Sequence, residues 1–317
     1  MTNERIYGNT PPFLQQTNLV KNPNLENEMD VIVYGVPWEG AVTWGDYTGC
    51  ELGPKVIRLN SARYSGYLPE LDHIDVFSHL RIGDKGDVAV TPAEPEETME
   101  KIEDFAGTIW GGSSWPLAFG GDHGITYPIV KSLTETTGKK IGIIHLDAHY
   151  DNNLHSNGDP YGRGAPFARL YETEGVVNEA LVHIGIHGPR NKPENGKLAS
   201  DVGAVTKTIH DIRRHQGPRE AAAEAYEIAS TGTDAVYLSI CSDVLDHAYN
   251  PGGPVDGNGL TSFELLEMVH EVTSRGVCGM DYVEVYPQQD ATDFSSHFAS
   301  FVALYALAGE ALRRKSS

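Results

Sequence analysis

Ile141-Gly142-Ile143-Ile144-His145-Leu146-Asp147-Ala148-His149-Tyr150-Asp151 is the stretch from which the fold of this chain can be read. An apolar run that turns into alternating carboxylates and imidazoles describes a buried strand delivering metal ligands at its C-terminal tip. Asp147, His149 and Asp151 stand at i, i+2 and i+4, so an extended backbone points all three to one side, toward one ion or a close pair. Taken alone, the same residues also suit a solvated loop after a strand, and the rest of the chain has to separate the two readings.

Outward from this run, apolar strand-like segments alternate with helical ones. Strands are predicted at Asp30–Pro37, Gly86–Val90, Trp115–Phe119, Ala180–Ile186, Val205–Ile209, Ala235–Ile240 and Val277–Val283. Helices are predicted from Lys55 to about Tyr64, from near Pro95 to Trp110, and at Ile125–Glu135, Ala165–Glu172, Pro218–Ser230, Thr261–Ser274 and Phe294–Leu312. Such alternation implies an α/β fold with a mostly parallel, roughly eight-stranded sheet covered on both faces. Residues 1–29, rich in Asn, Gln, Thr and Pro, are expected to form an arm of the kind that lies on a neighbour in an oligomer, and 30–317 a single domain. Ligands of parallel sheets bind at strand carboxyl ends. Three such ends are unusually polar here: Gly120 to His123, Asp147 to Asp151, and Cys241 to Asp246.

Composition narrows the partners. A formal charge of −20 over 317 residues repels nucleic acid and anionic membrane surfaces and attracts small cations. Three scattered cysteines, Cys50, Cys241 and Cys278, make neither a disulfide framework nor a CxxC site. With no apolar leader and no run long enough to span a bilayer, the expected compartment is the cytoplasm.

Together, the segments Gly120-Gly121-Asp122-His123, His145 to Asp151, and Ser239-Ile240-Cys241-Ser242-Asp243-Val244-Leu245-Asp246 resemble the ureohydrolase superfamily of arginases and agmatinases. Gly53 to Arg58, Gly259 to Glu264 and Asp281 to Pro287 extend the likeness in family order from about residue 31 to 310. The resemblance implies an arginase-like three-layer α/β/α fold and two divalent ions that activate a water for attack on a guanidinium carbon. By motif, His123, Asp147 and Asp151 would hold one ion, and His149, Asp147 and Asp243 the other. Carboxylate and imidazole donors suit Mn²⁺ or Ni²⁺. Glu264 matches the carboxylate that pairs with the substrate guanidinium, for which planar two-pronged pairing is well suited. A lysine-deacetylase-like amidohydrolase shares the Asp-x-His pattern, but the Gly-Gly-Asp-His turn argues against it.

Two positions depart from the family pattern. Cys241 stands where an Asp bridging both ions is expected; it is either a soft, one-atom ligand or a small buried thiol. Arg163 stands where agmatinase-like sequences carry a His that shuttles a proton to the leaving amine, and arginine cannot release its proton near neutral pH. Arg163 is also a candidate to pair with Glu264 and so occupy the guanidinium site itself. Two readings follow. In one, the chain is the poorly active or accessory subunit of a trimer- or hexamer-type hetero-oligomer with a paralogous active ureohydrolase subunit, as in the heteromeric metformin hydrolases of this superfamily. In the other, it is a self-sufficient agmatinase- or guanidinobutyrase-like enzyme, homo-oligomeric, acting on a small cationic guanidino substrate. A non-enzymatic binding protein would instead show tight ligand binding without turnover. Trp38, Trp44 and Tyr47 either line a pocket for a methylated cation or pack beneath a loop.

Overall fold

Alternate residues of the same strand feed two different cores, and this decides the layering. Val31 and Val33 pack with Ile57, Leu117, Ala221, Leu265 and Phe298, whereas Ile32 pairs with Tyr34, Met99, Ile102, Ile129 and Ile143 on the opposite side. A computed structural model describes the backbone of residues 10–40, 48–155 and 158–316. Its strands are β1 (Thr17–Asn18), β2 (Val31–Val36), β3 (Tyr67–Leu68), β4 (Ile74–Asp75), β5 (Ile82–Asp87), β6 (Trp115–Gly120), β7 (Ile141–Leu146), β8 (Val176–Ile186), β9 (Val205–Thr208), β10 (Ala235–Cys241) and β11 (Gly279–Val283). Among the described residues nine of these form one sheet in the order β1-β5-β2-β6-β11-β10-β7-β8-β9, one more than the roughly eight expected. Every pairing in it is parallel. Helices Gly53–Ser61, Pro218–Ser230, Ser262–Arg275 and Phe294–Ser316 cover one face, and Pro95–Trp110 and Thr126–Thr137 the other. Burying Ile102 or Leu117 completely in these layers stabilises the fold by about 1.5–3 kcal/mol each.

Parallel strands put all their carboxyl ends on one edge. There β6, β11, β10 and β7 are consecutive neighbours, so the residues following Gly120, Val283, Cys241 and Leu146 converge.

Several sequence expectations shift. The strand near residue 86 runs instead over Ile82–Asp87, a polar segment read poorly by hydrophobic pattern because its acids are buried for a partner. Arg58 is that partner: its Nε lies 2.7 Å from Asp84 Oδ2 and its Nη1 2.5 Å from Asp87 Oδ1, with the arginine and Asp84 almost fully buried. Residues 10–29 of the expected arm dock on the chain itself. The Phe13 amide donates to Asp84 Oδ2 at 2.7 Å, the Leu14 amide donates to Ser61 Oγ at 2.8 Å, and β1 extends the sheet beside β5. Residues 1–9, and with them the start of the arm, lie outside the described residues, as do Trp44 and Tyr47. Trp38 is buried in the core. No helix among the described residues is long and apolar enough to cross a membrane.

Candidate metal centre

Each strand end contributes its side chains through a short, tightly turned connection. After β6, Asp122 caps the turn by accepting from the Gly124 amide at 2.9 Å, and this aims His123 back over the sheet edge. After β7 the chain bends at Ala148 and His149, so the fully extended i, i+2, i+4 arrangement expected of Asp147, His149 and Asp151 is not kept, and Asp151 follows with a φ of 42° in the left-handed region. After β11, Glu284 sits at φ 65°. Two non-glycine residues in that region, both facing one cavity, hold strain of about 1–3 kcal/mol each that the surrounding packing must sustain.

The geometry brings His123, Asp147, His149, Asp151, Asp243 and Cys241 together. His123 Nδ1 lies 3.0 Å from Asp147 Oδ2 and 2.9 Å from Asp151 Oδ2. His149 Nδ1 lies 3.0 Å from Asp243 Oδ2 and 3.4 Å from Asp147 Oδ1. Among the described residues three groups have donor atoms mutually within 4.8 Å. One is Glu39, Cys50 and Glu51; the two that lie here are Asp147, His149 and Asp243, and His123, Asp147 and Cys241. Asp147 is shared by both. Asp151 touches His123 but is in neither triad.

Titration behaviour follows from this crowding. Burial resists charge on His123, yet its hydrogen bonds to Asp147 and Asp151 win and hold it protonated well above the usual imidazole range. His149 likewise rises to about 10 against burial, through Asp243 and Asp147. Burial and then the Asp147 charge push Asp151 up to about 7. Burial keeps His145 neutral down to about 4. The Cys241 thiol is pushed well above its ordinary value, first by burial and then by Asp147 and Asp243.

Donor chemistry tests whether divalent ions fit. The Asp147, His149 and Asp243 group offers two carboxylates and an imidazole, a hard and borderline set that fits Mn²⁺ or Ni²⁺. His123, Asp147 and Cys241 offers one of each type, and its sulfur must first lose a tightly held proton. The first group fits well and the second fits with a penalty.

Behind these residues lies a supporting shell that the sequence reading did not single out. His145 Nε2 is 2.9 Å from Asp147 Oδ2, its Nδ1 is 2.7 Å from His183 Nδ1, and the ring stacks on Phe167 at 3.8 Å. His123 Nε2 meets Ser239 Oγ at 3.0 Å, and Ser239 in turn donates to the buried Asp281 at 2.7 Å. Asp256 lies 3.4 Å from His149 Nε2 and is paired with Arg190.

Glu264 is a correction. Its carboxylate accepts from the Thr261 amide at 2.7 Å in a capping box and pairs with Arg213 at 2.9 Å, and it does not line the cavity above the metal-facing residues. Thr261-Ser262-Phe263-Glu264 has the capping-box spacing, which accounts for a glutamate there without any ligand. The expected Arg163–Glu264 pair is therefore absent. Arg163 instead lies 3.0 Å from Glu39 Oε1 and 3.7 Å from Glu284 Oε2. Asp151, Arg163, Cys241, Asp243, Glu284 and Tyr286 line one cavity of about 310 Å³.

Residues 29–309 match the family described as the arginase family. A guanidinopropionase of Pseudomonas aeruginosa is 32% identical over 292 residues, covering 90% of this chain and 89% of its own. A formimidoylglutamase of Halalkalibacterium halodurans is 31% identical over 325 residues, covering 95% and 98%. The structure of proclavaminate amidino hydrolase from Streptomyces clavuligerus superposes with a TM-score of 0.86 at 27% identity, covering 97% of this chain and 99% of that one.

Proposed function

This chain belongs to the arginase family, and on that premise we propose that it is the poorly active or accessory subunit of a hetero-oligomeric guanidino-hydrolase, working beside a paralogous active subunit. The overall reaction is C–N hydrolysis of a guanidine or biguanide, with metformin as one candidate, to urea or guanylurea plus an amine. The observation that carries this reading is Arg163 seated against Glu284 in the cavity. When bound at His123, Asp147, His149 and Asp243, with Asp151 and Cys241 adjoining, divalent Mn²⁺ or Ni²⁺ would supply the acidity that turns water into a nucleophile near neutral pH.

The chain's own residues complete only part of that chemistry. Cleaving an amidine C–N bond requires the leaving nitrogen to take up a proton. Arg163 cannot deliver one, because the effect of burial is overridden by the Glu284 charge and its proton is held more tightly than in free arginine. Glu284, the carboxylate a substrate guanidinium would need, already faces that arginine. A second reading, a self-sufficient agmatinase- or guanidinobutyrase-like hydrolase, is favoured by one observation: His123, Asp147, His149 and Asp243 all converge. Purifying the chain alone and with its paralogue, then assaying urea release from guanidine, agmatine and biguanides, separates them. Strong activity in the chain alone rejects the accessory reading.

A further inference from the structure

A file of hydrogen-bonded side chains runs from the cavity rim to Asp147, behind the metal-facing residues. Asn195, which lines the cavity, donates through Nδ2 to Asn152 Oδ1 at 2.8 Å, and Asn152 Nδ2 donates to the Asn195 carbonyl at 3.0 Å. The same Asn152 nitrogen reaches the Tyr171 hydroxyl at 3.3 Å. That hydroxyl lies 2.6 Å from His183 Nε2, His183 Nδ1 lies 2.7 Å from His145 Nδ1, and His145 Nε2 lies 2.9 Å from Asp147 Oδ2. Asn152, His183, His145 and Asp147 are at most 1% exposed, so the file must satisfy its own donors and acceptors.

Both ends of the file fix which way its protons point. A backbone carbonyl only accepts, so the Asn195 carbonyl pins Asn152 with its amide nitrogen toward Tyr171. The Tyr171 oxygen is thereby used as an acceptor, and its single proton is left for His183 Nε2. At the far end Asp147 Oδ1 accepts from the His149 amide at 2.5 Å and Oδ2 lies 3.0 Å from His123 Nδ1, the setting of an ionised carboxylate, which also only accepts. His145 therefore carries its proton on Nε2. Its Nδ1 is then the acceptor in the 2.7 Å contact, and His183 carries its proton on Nδ1. The opposite polarity would leave the Tyr171 proton without a target and would require a protonated Asp147. An imidazolium at His145 would place a second buried cation beside the His123 ring, 5.0 Å away, with its own ring stacked on the apolar face of Phe167.

We propose that Tyr171 and His183 are positioning residues for Asp147: they act through His145 in a chain whose every donor points to that carboxylate, with His145 and His183 held in opposite neutral tautomers. Asp147 is the carboxylate shared by the two ligand groups, so the chain sets its Oδ2 before any ion arrives. Donors behind a ligating carboxylate orient it and tune its hold on a metal. The tautomers are read on the metal-free chain, so failure of the hetero-oligomer assay and failure of the chain are separate results.

The experiment uses the full metal-free chain with nitrogen-15 in its histidine rings, at neutral pH. Proton–nitrogen correlation spectra are expected to show His145 protonated on Nε2 and His183 on Nδ1, with neither ring doubly protonated. Coupling between the two Nδ1 nitrogens across their shared hydrogen bond identifies the pair without a variant, and His183→Asn tells which ring is which. Tyr171→Phe, which removes only the hydroxyl, moves the His183 Nε2 resonance downfield as that nitrogen loses its hydrogen bond. Protonation of His145 on Nδ1, of both rings on the same nitrogen, or of either ring on both nitrogens overturns the chain, as does a His183 Nε2 resonance untouched by Tyr171→Phe. Competition with a chelating dye then reads the effect on Mn²⁺. His183→Leu removes the donor to His145 and weakens binding by about tenfold, whereas His183→Asn, of similar size, puts an amide nitrogen where Nδ1 stood and stays within about threefold of the unaltered chain. Equal losses in the two variants, or no loss in His183→Leu, overturn the positioning role.

Discussion

Replacing Cys241 with aspartate restores a carboxylate to the sheet edge, and its effect on metal binding can be worked from the thiol. Cys241 is 1% exposed at the end of β10, and its proton is held well above the ordinary value of 9.0 by burial and by Asp147 and Asp243. A metal ion accepts the thiolate, so the proton must leave first. At roughly pH 7.5 that removal costs at least about 2 kcal/mol, or about thirtyfold in apparent affinity, at ~1.4 kcal/mol per pH unit. Aspartate starts from a pKa near 4 and carries a second donor atom, so it avoids most of this cost. Metal-stripped Cys241→Asp is therefore expected to bind Mn²⁺ at least about thirtyfold more tightly by calorimetry or competition with a chelating dye. Both chains must release the His123 and His149 protons on binding metal, so apparent affinity should climb with pH in each, and between roughly pH 7 and 9 the unaltered chain should climb more steeply, by about a further tenfold per pH unit. Adding Arg163→His leaves this gain in place. Unchanged affinity and unchanged pH slope in a variant that keeps its near-ultraviolet circular dichroism would refute the assignment of Cys241 to the ligand set.

Three further outcomes are expected. Arg58→Met strands the buried carboxylates of Asp84 and Asp87 and should cost about 3–5 kcal/mol in urea denaturation; a loss below about 1 kcal/mol would show that those acids find other partners. Glu264→Ala removes a helix cap and the Arg213 pair, so stability should fall by about 1 kcal/mol with metal and guanidinium binding intact, and a large loss of either would return Glu264 to the site. The third concerns pH. His149 titrates at about 10 in the fold, above the 6.5 of an unfolded chain, so its stabilising contribution is complete below pH 6.5 and lost as pH rises to about 10. The melting temperature of the metal-free protein should fall across that window by scanning fluorimetry, and saturating Mn²⁺, which replaces that proton, should abolish the fall; the same slope with and without metal would place His149 outside the metal site.

The parallel sheet and its polar edge were legible because β2, β6, β7, β10 and β11 are nearly pure apolar runs that end in charged or small residues. The pattern fails where burial is electrostatic. β5 reads Ile82-Gly83-Asp84-Lys85-Gly86-Asp87, and only the contact with Arg58 from a distant helix explains acids inside a sheet. The arm hid β1 for a related reason, since a two-residue edge strand has no periodicity to detect. At the site, His123, Asp147, His149, Asp151 and Asp243 could be found from local motifs. Glu284 could not be distinguished from Glu264 by motif alone: both follow apolar or capping sequences, and only the adjacency of β11 to β6 and β10 brings Glu284 to the cavity. The capping-box spacing around Glu264 was the signal available in advance. Arg163 was expected to pair with Glu264 and does not; its partners, Glu39 and Glu284, are distant in sequence and joined only by the fold.

The most direct measurement is metal content per subunit together with urea release, on the purified chain alone and then mixed with its paralogue. An accessory subunit gives less than two ions per chain, negligible urea from guanidine, agmatine or biguanides, and a mixture more active than the paralogue by itself. Two tightly held ions per chain with vigorous turnover in the absence of any paralogue would contradict it.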